Sequence, residues 1–355
     1  SSRVRTAGGH YLEFDFGGIK AYARNSAVCG DIIYGDTTLD GDLVDCAGHG
    51  ILLGYNSGDY TLDCAGYTID GTMAAGKWGI FFQNAHNVTI KNCVVKQFER
   101  GMHTYNPATN LKIINNTVHS SLNYNLFISA SGSNGNLIYN NTFYNTSAAR
   151  GVYLASGNNL NFSNNIVYDS RQSGVYLSVF SDSSVVNNKI YNNTDYGLRL
   201  GSSNNITVDS NDIYLNEDEN ILMQGTSDSL IKNNILRQST TDSGIFLSGS
   251  TNERNNITNN TVYGNYDYGI AAGAWTTFTG NNTLIDSNDI YHNLRYGIFF
   301  VAQNSTIFNN KVHDNNGSIE VYFYTGSNYN NVSNNEIYGS PSSGLYARNN
   351  HNNFI

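Results

Sequence analysis

A right-handed parallel β-helix is the fold class this sequence predicts, and three observations predict it. A short phrase, apolar-x-Asn-Asn-x-apolar, recurs along the chain, three apolar columns keep step with it, and no segment carries the period of an amphipathic helix. The second Asn of the phrase falls at residues 116, 141, 165, 188, 211, 234, 260, 288, 310 and 335, so the spacing stays between 22 and 28 residues. The expected architecture is all-β and single-stranded in the solenoid sense, about 12–14 coils of roughly 23 residues with three short strands each.

The first apolar column lies three residues before the second Asn, as at Ile113, Ile138, Val208 and Ile257. The next lies two residues after it, as at Val118, Phe143, Ile213 and Val262. A Gly precedes the last column, as in Gly174-Val175, Gly197-Leu198, Gly244-Ile245 and Gly269-Ile270. The patches are brief, alternate with period two and are rich in Val, Ile, Phe and Tyr, which is strand chemistry. Asn suits the corners because it tolerates left-handed backbone and its amide can bond the Asn one coil away. With only two prolines, Pro107 and Pro341, nearly every strand can supply its N–H to neighbours on both sides.

Residues 1–78 form an N-terminal cap with irregular first coils, because Asn is sparse there, and residues 79–355 form one continuous elongated run of regular repeats. The four cysteines, Cys29, Cys46, Cys64 and Cys93, lie 17, 18 and 29 residues apart. That places them on neighbouring coils within disulfide reach, and Cys29–Cys46 with Cys64–Cys93 is the favoured pairing of the three possible. The absence of any Cys-x-x-Cys disfavours zinc.

A formal net charge of −9 without a Lys/Arg cluster argues against nucleic acid, and no apolar run is long enough to span a membrane. Thirteen Asn-x-Ser/Thr sequons occur, of which Asn87, Asn145, Asn161, Asn192, Asn205, Asn281, Asn304, Asn316 and Asn331 are the glycosylation candidates. Sequons and clustered cysteines together point to an extracellular or cell-surface location.

The phrases Leu62-Asp63-Cys64-Ala65-Gly66-Tyr67-Thr68-Ile69-Asp70-Gly71, Gly79-Ile80 and Asn87-Val88-Thr89-Ile90-Lys91-Asn92-Cys93 resemble the NosD-like, pectate-lyase-like right-handed β-helix repeat proteins of the archaeal cell-surface type. The resemblance extends over residues 28–355 and implies the fold; the superfamily it implies spans enzymes, adhesins and envelope proteins. The copper label of NosD does not carry over, because the eight His form no recurrent ligand spacing.

With Ile245 and Leu247 inward, Phe246 faces out. The same position gives the surface column Phe81, His103, Phe127, Tyr153, Tyr176, Arg199, Leu222, Phe246, Ala271, Phe299, Glu320 and Tyr346. A further outward column reads His119, Tyr144, Tyr168, Tyr191, Tyr214, Arg237, Tyr263, Tyr291, His313 and Tyr338. Stacked aromatic rungs suit sugar rings or a neighbouring subunit. Tyr153, Tyr176, Arg199, Phe246 and Phe299 are therefore the candidate ligand contacts. Two residues before the Gly position stand Asp195, Asp218, Asp242 and Asp267 on successive coils. Such a column splays into solvent, binds Ca²⁺ or holds shifted pKa values.

Two functions compete. The first is a structural or adhesive protein of a surface layer, sheath or filament that needs no cofactor, binds polysaccharide through its aromatic columns and self-associates, head-to-tail or laterally. Head-to-tail contact is expected because Asn352-Asn353-Phe354-Ile355 stops partway through a coil. The second is a polysaccharide lyase or glycosidase acting on an acidic glycan along the Asp195–Asp267 face, with Arg199, Asp195 and Asp218 as the reacting groups.

Overall fold

The computed structural model describes residues 2–5, 11–14, 27–54, 58–249, 251–273, 281–350 and 352–355, so much of the expected cap lies outside the described residues. Its chain divides into two compact units, residues 1–171 and 172–355. Both are parallel β-solenoids with three strands per coil, and no helix occurs among the described residues.

In the first unit one face carries Trp78–Phe82, Arg100–Thr104, Tyr124–Ser129 and Val152–Asn158. The following face carries Thr89–Lys91, Lys112–Ile114 and Leu137–Tyr139, and the face after it Val94–Lys96, Thr117–His119 and Thr142–Thr146. The second unit repeats the plan with Leu198–Gly201, Ile221–Gln224, Ile245–Ser248, Ile270–Ala272 and Ile298–Phe300 on its first face. The register pairs Leu198 with Ile221, Ile221 with Ile245, and Ile245 with Ile270, so each apolar column of the sequence is a stack of inward side chains. Leu198, Ile213, Ile231 and Ile245 are fully buried, as expected.

The two residues of each Asn-Asn corner divide the work. The first is left-handed, with φ of 58° at Asn115, 56° at Asn233 and 55° at Asn259. The second is buried and forms the ladder: Asn211 donates from its backbone N and its Nδ2 to Asn234 Oδ1, both at 2.9 Å, and Asn234 Nδ2 donates on to Asn260 Oδ1 at 2.9 Å. Five residues further along runs another buried Asn ladder, which the sequence reading missed. It joins Asn193 to Asn216, and Asn265 to Asn293 to Asn315.

Gly is needed before the first-face strand because that backbone lies against this second ladder. A Cβ on Gly197 would sit 2.5 Å from Ile213 Cγ2 and 2.6 Å from Asn216 Nδ2. Where the ladder carries Ser239 in place of Asn, the room is used by Asn220, which stands in the Gly position and donates from Nδ2 to Asn265 Oδ1 at 2.9 Å. Glu320 does the same one residue type further: the register of Ile298 with Val321 seats it in the Gly position, and it accepts from Asn315 Nδ2 at 2.6 Å. This corrects the expected surface column, where Tyr322 takes the place assigned to Glu320. Both expected disulfides, Cys29–Cys46 and Cys64–Cys93, are present.

Candidate functional site

The outward aromatic positions are less exposed than their pattern suggests. In the first unit His103 is wholly buried, and the Arg100 guanidinium lies 4.3 Å from the centroid of Phe127. Burial and the adjacent Arg100 charge depress the His103 pKa to about 3. Tyr153 packs at 5.3 Å from Phe127 in this unit, whereas Tyr176, Arg199, Phe246 and Phe299 belong to the other. The later tyrosine column is also self-engaged. Tyr144 and Tyr168 stack at 4.9 Å and 1°, Tyr263 and Tyr291 at 5.0 Å and 0°. Ring faces spent on one another are closed to a sugar.

The second unit interrupts its first-face column. The register places Tyr176, Arg199, Leu222, Phe246, Ala271, Phe299 and Tyr322 in line, so Ala271 leaves out one ring between two phenylalanines. A cavity of about 160 Å³ opens there. Phe246, Ala271, Gly273 and Phe299 line it on one side, and Asp242, Ser243, Asp267 and Tyr268 on the other. Tyr268 stacks on Phe299 at 4.9 Å.

Beside this cavity run the four aspartates on consecutive coils, held by backbone bonds from Asp218 N to Asp195 O at 3.3 Å and from Asp267 N to Asp242 O at 3.1 Å. All four are partly buried. Burial, then a hydrogen bond to the Asp218 carboxyl, pushes Asp195 up to about 6, while Ser173 Oγ donates to it at 3.1 Å. Burial likewise raises Asp242, which accepts from Ser243 Oγ at 2.8 Å, and lifts Asp267 to about 6 against the opposing pull of Arg295 at 2.9 Å. Glu219, only 5% exposed, rises to about 8 through burial and the nearby Asp242 charge.

Of the predicted site residues, Asp242, Asp267, Phe246 and Phe299 meet at the cavity. Asp195, Asp218 and Arg199 lie on the preceding coils of the same face, where Arg199 Nη2 donates to Gln224 Oε1 at 2.6 Å and its guanidinium stands 4.6 Å from the Tyr176 centroid. Tyr268, Ser243, Ala271 and Gly273 were not singled out in the sequence. The break in the aromatic column at Ala271 was the legible sign of them. Among the described residues no three His, Cys, Asp or Glu side chains converge as a metal shell requires.

The sequence matches, over residues 36–194, the family model described as periplasmic copper-binding protein (NosD). No match was found among curated protein sequences. Among solved structures the chain is similar to the A-module of the mannuronan C-5 epimerase AlgE4 from Azotobacter vinelandii, at 20% identity and a TM-score of 0.54, covering 92% of this chain and 84% of that one. A point mutant of the periplasmic alginate epimerase AlgG is similar at 12% identity and a TM-score of 0.53, with 92% and 78% covered. The Agl-KA catalytic domain is similar at 16% and 0.54, with 92% and 62% covered. At these identities the likenesses show the fold alone. The family model described as right handed beta helix region matches residues 126–284 and 277–355, and the chain belongs to that right-handed β-helix family.

Proposed function

We propose that this chain is a glycan-binding β-helix working outside the cytoplasm, with the cavity over Ala271 as its sugar subsite. The observation that carries the reading is the pairing of a partly exposed apolar ring, Phe246, with the hydrogen-bonding groups of Asp242, Asp267 and Tyr268 in one cavity. A sugar ring has an apolar C–H face and a rim of hydroxyls, and this cavity offers a partner to each. Two disulfides and the similarity to a periplasmic family support the location. Calorimetry against a panel of neutral, acidic and basic oligosaccharides tests the reading: Phe246→Ala and Asp242→Asn are expected to lose the binding that the parent shows. A parent that binds none of the panel refutes it.

In the cell this protein serves as a structural or adhesive component of a surface layer, sheath or filament. Exposed apolar side chains such as Val179, Leu215, Ile235 and Leu294 support lateral self-association. Light scattering across a concentration range tests that part, and a strict monomer overturns it.

A second reading, a polysaccharide lyase or glycosidase, is favoured by the carboxyls of Asp195 and Asp267. Near 6, they titrate where general acid–base catalysis operates. Release of reducing or unsaturated ends from any glycan of the panel, abolished by Asp267→Asn, is its expected sign.

A further inference from the structure

Stacking in a parallel solenoid places equivalent side chains roughly 4.8 Å apart, so each repeated charge must face its own kind or a complement. At five other places among the described residues an Asp faces a complementary charge. Lys91 pairs with Asp63 at 3.1 Å, Lys96 with Asp70 at 3.1 Å, Lys232 with Asp209 at 3.3 Å, Arg237 with Asp212 at 3.1 Å and Arg254 with Asp228 at 2.6 Å, each across adjacent coils. The run Asp195, Asp218, Asp242 and Asp267 breaks that rule, and it does so beside the cavity.

Charge balance there is poor. Five carboxyls, the four aspartates and Glu219, face Arg199 at one end and Arg295 at the other, with Tyr196, Tyr268 and Tyr296 between them. Arg295 is already bonded to Asp267, and Arg199 to Gln224. Glu219 is 5% exposed and receives no side-chain hydrogen bond from another residue among those described, while its strongest charge interaction is with Asp242 on the cavity wall. An added cation would relieve this repulsion. Calcium asks for six to eight converging oxygens, whereas here one side of the cavity is aromatic. Aromatic faces beside carboxylates are the recognition chemistry of an organic ammonium.

We infer that the cavity takes an amino-sugar residue with a free ammonium group, its charge toward Asp242 and Asp267 and its apolar face on Phe246. The inference rests on the glycan-binding reading and names the sugar class. It carries a linkage consequence. Carboxyls that hold protons in the empty site must release them to accept a cation, while the sugar ammonium loses its own proton above about pH 7–8, so affinity rises from about pH 5 to a maximum near neutrality and falls beyond it, and on the acid side of that maximum binding expels protons.

The probe is a glucosamine oligomer compared with its N-acetylated counterpart of equal length, by calorimetry in two buffers of different ionisation heat. The expected result is an affinity roughly tenfold or more higher for the free amine, with proton release, reduced to parity in the Asp242→Asn, Asp267→Asn double variant. Ala271→Phe fills the missing rung without touching a carboxyl and is expected to abolish binding while circular dichroism and melting stay native-like. Equal affinity for both oligomers, a preference for the acetylated one, or binding without proton release overturns the inference and leaves glycan binding intact. Binding of some other neutral or acidic glycan, with neither oligomer bound, also overturns it. Failure to bind any glycan overturns both.

Discussion

Replacing Asn234 and its neighbour Asn233 by Ala, one at a time, should give very different losses of stability, although the two residues are adjacent and identical. Asn234 Oδ1 accepts from Asn211 N and from Asn211 Nδ2, both at 2.9 Å, and its Nδ2 donates to Val208 O at 3.0 Å and to Asn260 Oδ1 at 2.9 Å. Truncation removes four buried hydrogen bonds. At a net 0.5–1.5 kcal/mol each, the loss is about 2–6 kcal/mol, with the upper end favoured because the Asn211 donors are left without a partner away from water. Asn233 is exposed: its Nδ2 donates to Asp209 Oδ1 at 2.8 Å and its Oδ1 accepts from Asn259 Nδ2 at 2.6 Å, bonds that water can replace, and its backbone is left-handed at φ 56°. Asn233→Ala should cost about 1 kcal/mol for the left-handed backbone, and Asn233→Gly close to nothing. Denaturant unfolding with hydrogen exchange on the flanking coils measures both, since repeat stacks open locally as well as globally. Equal losses for the two Ala variants, or a loss below about 1 kcal/mol for Asn234→Ala, would refute the division of labour between the two corner residues.

Leu198→Ala and Ile245→Ala, at fully buried positions, should each cost about 2–5 kcal/mol, and melting temperatures equal to the parent's would show the inward columns misassigned. Non-reducing mass spectrometry should find the four-hydrogen deficit of Cys29–Cys46 and Cys64–Cys93, and reduction should lower the stability of the first unit by about 2–4 kcal/mol per bridge. The folded pKa of Glu219 lies above its unfolded value, so the folded state binds the extra proton, and stability should fall as pH rises from about 4.5 through about 8. Glu219→Gln should flatten that fall; an unchanged pH profile would mean that Glu219 is ionised in the fold. Val179 holds a β-branched side chain at φ 58° on an exposed corner, so Val179→Gly should stabilise by about 1 kcal/mol, and a loss in the melt would show a packing role there.

The fold was legible because a solenoid writes each structural position once per coil. Ile113, Val118 and the Gly101-Met102 step are each weak evidence alone, but their copies at a constant spacing fix strand, corner and register together. The pairing of the cysteines followed from the same spacing. Burial of the outward face was not legible, since it depends on what lies across it: nothing in Phe127 announces that Arg100 covers its ring. Glu320 was misplaced for a related reason. Ser318-Ile319-Glu320-Val321 lacks the Gly that marks the strand start, so Ile319 reads as the inward residue until the pairing of Ile298 with Val321 moves the register by two.

The candidate site shows why a repeat sequence hides its chemistry in its exceptions. Asn gains by stacking on Asn, since each amide is both donor and acceptor, and Tyr gains by stacking on Tyr. Asp stacked on Asp gains nothing and loses hydration, so four in a row are stable only through protonation, through the flanking Arg199 and Arg295, or through a ligand. The protons cost the fold little at low pH and progressively more as the pH rises. A chain that elsewhere sets Lys or Arg against Asp63, Asp70, Asp209, Asp212 and Asp228 stacks these four on one another beside the one rung where an Ala replaces an aromatic ring. Two departures from the repeat, in adjacent columns and on the same coils, locate the site more firmly than either the acids or the missing ring would alone.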